Sequence, residues 1–169
     1  MARILDRAYR AIEADPRRRS LAELRAELES SDRTRRVKAL VRIRKQIDEL
    51  GLRDGYFAIA RRHLNDRDST CRWQAAIVVG EFIPTRGDQV WAMARQLARS
   101  PIKDVRMAAS TVLLEHLLEY HPARMIPKFE AELATGDQMF RRSVAMCANF
   151  NTGRLRRRVQ TLIDQAKAV

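Results

Sequence analysis

The sequence predicts an all-α fold of about four stacked helix pairs with a capping helix at each end. Three observations lead there. Only 6 glycines and 5 prolines punctuate 169 residues, too few for a turn-rich β fold. Hydrophobic residues make up 46% and charged ones 32%, enough apolar surface for a continuous core with a polar exterior. An Arg followed three residues later by Ala recurs four times at a near-constant interval.

Amphipathic periodicity and breakers give helices near 2–14, 20–30, 32–49, 54–65, 68–83, 87–99, 101–120, 122–135, 137–150 and 152–168. The first and last cap the stack. The repeats between them cover about 20–50, 54–83, 87–120 and 122–150 of one domain spanning 1–169. Pro16, Gly51, Pro84, Gly87, Pro122 and Gly153 fall between helices, and the glycines read as turn residues. Pro127 falls inside one, as a kink. Pro101 suits the first turn of its helix.

The recurring segments are Arg36-Val-Lys-Ala39, Arg72-Trp-Gln-Ala75, Arg106-Met-Ala-Ala109 and Arg142-Ser-Val-Ala145, with Arg spacings of 36, 34 and 36. In the fourth, Arg141 competes with Arg142 for the register. Before each lies a Leu closing an earlier helix: Leu28, Leu64, Leu97 and Leu133. A polar turn separates Leu from Arg. Asp32, Asp68 and Asp137 stand where a carboxylate caps the orphan amides of the second helix.

The stretch Asn65-Asp66-Arg67-Asp68-Ser69-Thr70-Cys71-Arg72-Trp73-Gln74-Ala75-Ala76 resembles the turn and second helix of a HEAT repeat. That pattern has an Asp six residues before an Arg, an apolar residue just ahead of the Arg, and small residues after it. Asp66, Cys71, Arg72 and Ala75 fill those places. Val105, Arg106 and Ala109 match in the next unit, with Ser100 at the Asp position; Ser30 replaces it in the first. The resemblance covers roughly residues 20–150 and implies an α-solenoid. It implies that Arg36, Asp66, Arg72, Arg106 and Arg142 form a stacking ladder between adjacent pairs. A guanidinium in an apolar arc needs such a partner.

The net charge is +12, concentrated at the ends: +5 over 1–50, +3 over 51–100, 0 over 101–150 and +4 over 151–169. Such an excess attracts polyanions. It also fits a GC-rich genome, since only 5 of 33 basic residues are Lys. Arg35, Lys38, Arg42 and Lys45 follow helical spacing and share one face of the first repeat's second helix. In HEAT stacks that helix lines the concave side. The tail Arg154-Leu-Arg156-Arg157-Arg158 and the run Arg17-Arg18-Arg19 offer further phosphate contacts. For each of these the plainer reading is a solvated face. Trp73 and Trp91 are either exposed anchors or core residues.

Catalytic signals are missing. No nucleophile elbow or Gly-rich phosphate loop is present, and His63, His116 and His121 lack metal-ligand spacing. DNA-alkylation-repeat glycosylases are similar in architecture and basicity. Their resemblance would need a Trp followed four residues later by Asp, but Ile77 follows Trp73 and Arg95 follows Trp91. The expectation is therefore a binding module without cofactor or metal. Its partner is a protein, with nucleic acid as the alternative and a glycosylase further behind. Glu81, Glu115 and Glu119 in the central second helices tilt the balance away from a nucleic-acid groove. Cys71 and Cys147 read as buried reduced thiols, with a bridge between them left open. A cytoplasmic chain with no signal peptide and no membrane span is expected.

Overall fold

The computed structural model describes residues 19–147 and 156–168. The expected capping helix at 2–14 lies outside them, as do the outer parts of the helices expected over 137–150 and 152–168. The regular elements among the described residues are all helices, with no strand. Contacts divide the chain into two compact units, Met1–Glu81 and Phe82–Val169.

In the first unit α1 spans Leu21–Leu28, α2 Arg33–Leu50, α3 Asp54–Ala60 with a 3-10 turn at Arg61–His63, and α4 Ser69–Gly80. Ser20 and Glu23 start α1 with a reciprocal capping box. Asp32 caps α2 through the Thr34 N–H, and Asp68 caps α4 through those of Thr70 and Cys71. Gly51 ends α2 at φ 76°, a left-handed conformation costly for a residue with a Cβ. α1 packs on α2 and α3 on α4, while α1 touches α3 and α2 touches α4. Val37, Leu40, Val41, Ile43 and Ile47 give α2 the apolar arc that this arrangement buries.

In the second unit α5 spans Ile83–Leu97, α6 Lys103–Ala108, α7 Glu115–Tyr120, α8 Pro122–Ala134, α9 Gln138–Ala145 and α10 Arg156–Lys167. The expected break before residue 87 is displaced. Pro84 sits in the first turn of α5, and the backbone leaves helical geometry at Arg86 (φ −130°, ψ 29°), beside Gly87. A Cβ on Gly87 would lie 3.1 Å from His121 Cδ2, so that glycine permits a close approach. Gly55 and Gly80 also lie in helices rather than turns. Pro101 precedes the Ile102 N-cap and so stands outside α6.

α6 and α7 are joined by a π-type stretch, Ala109–Leu114, where one continuous α-helix was expected. The Ser110 and Thr111 hydroxyls donate to the carbonyls of Arg106 and Met107, at 2.7 and 2.8 Å. These hydroxyls compete for the acceptors that an α-helical ladder uses, and the ladder widens there. The core of this unit is aromatic. Trp91 stacks 4.9 Å from Phe129 and edge-on 6.1 Å from Phe140, with Phe129 and Phe140 5.9 Å apart. Trp91 is therefore a core residue rather than an exposed anchor. Leu28, Leu64, Leu97 and Leu133 are all buried, as the repeat requires.

Candidate binding surface

The first three recurring arginines share one local job. Each sits four residues past its helix's N-cap and donates from Nη1 to carbonyls six and five residues earlier. Arg36 reaches Ser30 and Ser31 (3.0 and 3.0 Å), Arg72 reaches Asp66 and Arg67 (2.7 and 3.2 Å), and Arg106 reaches Ser100 and Pro101 (2.7 and 3.0 Å). The guanidinium thus staples the turn that leads into its own helix, satisfying carbonyls that would otherwise be orphaned. The Ser residues at the Asp positions work equally well, because the backbone oxygen is what accepts.

Arg36 does more. Its Nε and Nη2 donate to both carboxylate oxygens of Asp66 at 3.0 Å each, and both side chains are buried. The pair links α2 to the turn that precedes α4. Burial works against the Asp66 charge, but the Asp68 amide, Arg36 and His63 outweigh it and hold the carboxyl below its ordinary value.

The fourth register resolves to Arg141. It stands four residues after the Asp137 cap, whose carboxylate accepts from Met139 and Phe140. Arg142, the expected stacking residue, is exposed. Arg141 differs from the other three in its partner, since its Nη1 donates to the Gln165 carbonyl in α10 at 3.2 Å.

On α2 the cations divide into two sets. Arg33 pairs with Asp68 (3.1 Å), Arg36 with Asp66, Arg42 with Glu27 (2.9 Å) and Arg44 with Glu81 (3.4 Å). Arg35, Lys38 and Lys45 have no hydrogen-bonding or ionic partner among the described residues. At 100° per residue these three lie within an arc of about 80°, and they span about 15 Å of helix. Arg42 shares that face but is held by Glu27 of α1, so the predicted four-residue stripe presents three free cations. Glu49 follows on the same face one turn beyond Lys45 and closes the basic stretch.

Among the described residues, the other basic runs do not converge in this way. Arg17, Arg18 and Arg154 lie outside the described residues. Arg19 is spent on Glu23 and Glu27. Arg158 pairs with Glu130 at 3.3 Å, and the consecutive Arg156, Arg157 and Arg158 fan out around α10. Trp73 is half-exposed beside the half-exposed Ile77, one turn further along α4. Of the acidic trio, Glu81 binds Arg44, Glu115 is buried and Glu119 is exposed.

Two of the histidines have structural contacts: His63 Nδ1 lies 3.2 Å from Asp66, and His121 Nε2 lies 3.0 Å from the Ile83 carbonyl. No group of three or more His, Cys, Asp or Glu side chains is placed to hold a metal among the described residues. Cys71 and Cys147 are buried free thiols. Burial, reinforced by Asp66, pushes the Cys71 thiol up to about 12, and burial also raises Cys147. No described helix is long and apolar enough to cross a membrane. No family model matches the chain, and neither a curated protein nor a solved structure does so.

Proposed function

We propose that the chain is a HEAT-like repeat module that binds an acidic protein surface through the solvent face of α2. The observation that carries this reading is the set of unpaired Arg35, Lys38 and Lys45 on a helix whose other cations are all engaged. Three charges left on one rigid face need no internal reorganisation to meet an anion, which favours fast, salt-sensitive association.

The shortness of the patch favours a protein partner. About 15 Å of cations bounded by Glu49 suits a few carboxylates better than a continuous phosphate backbone, which presents a charge about every 1.7 Å. The stapled turns and the Arg36–Asp66 pair support the HEAT-like reading of the fold. They hold successive helices in register, so that α2 presents a fixed surface.

Fluorescence anisotropy with a labelled Asp/Glu-rich peptide and with random duplex DNA, each across a salt series, tests this reading. The peptide is expected to bind, and to weaken at least about tenfold when Arg35, Lys38 and Lys45 are all changed to Gln. Tighter duplex binding with a steep salt slope, lost in the same triple variant, would move the assignment to nucleic acid.

A further inference from the structure

The first unit holds a second feature, independent of the α2 face. A cavity of about 390 Å³ opens between α1, the end of α2 and the start of α3, lined by Arg19, Ser20, Leu21, Gln46, Leu50, Arg53, Gly55 and Tyr56. That volume falls within the roughly 300–1,000 Å³ of small-molecule pockets. We propose that it binds a small aliphatic monocarboxylate.

The hydrogen bonding of Gln46 sets the polarity of the site. Its Oε1 accepts from the Arg19 amide at 3.3 Å, and its Nε2 donates to the Arg19 carbonyl at 3.0 Å. Those two bonds leave the amide one orientation. Its remaining Nε2 hydrogen therefore goes to the Tyr56 hydroxyl, 3.0 Å away. The hydroxyl is an acceptor in that bond, so its own proton must be donated elsewhere. It takes no acceptor among the described residues, although Tyr56 is 4% exposed. A buried donor left unmade is costly, and the cavity is where an acceptor can meet it.

Charge at the rim narrows the ligand. Glu23 and Glu27 neutralise Arg19. Arg53 is exposed and has no partner among the described residues. One free cation beside one hydroxyl donor suits a single negative charge, and the two nearby glutamates disfavour a dianion. Leu21 and Leu50 supply an apolar wall for a short hydrocarbon chain. Leu21 can close over α3 because position 55 is glycine: a Cβ there would lie 2.4 Å from Leu21 Cδ2.

Amide chemical-shift titration of the full chain with hexanoate, hexanol and inorganic phosphate tests the site. Hexanoate is expected to give saturable shifts at Leu21, Arg53 and Tyr56. Hexanol and phosphate should each bind at least about tenfold more weakly. Arg53→Gln and Tyr56→Phe should each weaken hexanoate about tenfold, and Arg25→Gln, an exposed cation of α1, should leave it unchanged. Arg53→Gln alters only an exposed side chain, so its result stands even if Tyr56→Phe loosens the fold. No saturation by about 10 mM hexanoate, equal binding of hexanol or phosphate, or an unaffected Arg53→Gln would overturn the proposal.

Discussion

Arg36 and Asp66, 30 residues apart in sequence, form a buried bidentate pair that ties α2 to the turn ahead of α4. Removing one partner of such a pair strands the other charge, at a cost of roughly 3–5 kcal/mol. Arg36→Met is therefore expected to lower the urea midpoint sharply, and the double variant Arg36→Met/Asp66→Leu to recover part of the loss. An unchanged midpoint for Arg36→Met would remove the pair from the account of stability.

Four carboxylates are held low among the described residues. Exposed Glu23 is lowered chiefly by the Ser20 amide of its capping box. Acid should unfold the protein mainly through the others, Asp66, Glu132 and Asp137. Asp66 is held low as described. Burial opposes the Glu132 charge, but Arg99 and Arg95 outweigh it; Asp137 is lowered chiefly by the Phe140 amide, with Arg99 adding to this. A carboxylate with a depressed folded pKa contributes stability above its ordinary value and loses it as pH falls through the folded one. Stability should stay level from pH 7 to about 5 and fall below the ordinary values of 3.8 for Asp and 4.5 for Glu. Urea unfolding across pH reads this, and Asp66→Asn should flatten part of the slope.

Arg141 and Arg142 should behave differently. Arg141→Ala removes the bond to Gln165 O and is expected to cost about 1 kcal/mol. Arg142→Ala, at an exposed position, should stay within about 0.5 kcal/mol. Equal effects would return the register of the fourth unit to question.

Most of the helices could be read from the sequence because local chemistry sets them. Asp32, Asp68 and Asp137 cap where their positions indicate, and Leu28, Leu64, Leu97 and Leu133 bury as the repeat requires. What escaped depends on neighbours distant in sequence. Arg42 belongs to the basic stripe by spacing, yet Glu27 on another helix engages it. Trp91 becomes core only once Phe129 and Phe140 are brought beside it. Two features did leave a local signal. Ser20-Leu-Ala-Glu23 spells a capping box, and the distance from Asp137 selects Arg141 over Arg142.

The two thiols should be inert in the folded chain. A thiol raised to about 12, as Cys71 is, leaves almost no thiolate at pH 8. Burial also shields Cys147. Reaction with a disulfide reagent should be slow in native buffer and complete quickly in denaturant. Rapid native labelling of either cysteine would contradict its placement.

The binding face itself is tested most directly by amide chemical-shift mapping of the full chain with an Asp/Glu-rich peptide. Saturable shifts are expected to concentrate on α2 around Arg35, Lys38 and Lys45 and to fade as salt rises. A footprint centred instead on Arg156–Lys167, or no saturable shift on α2 at low salt, would contradict this assignment.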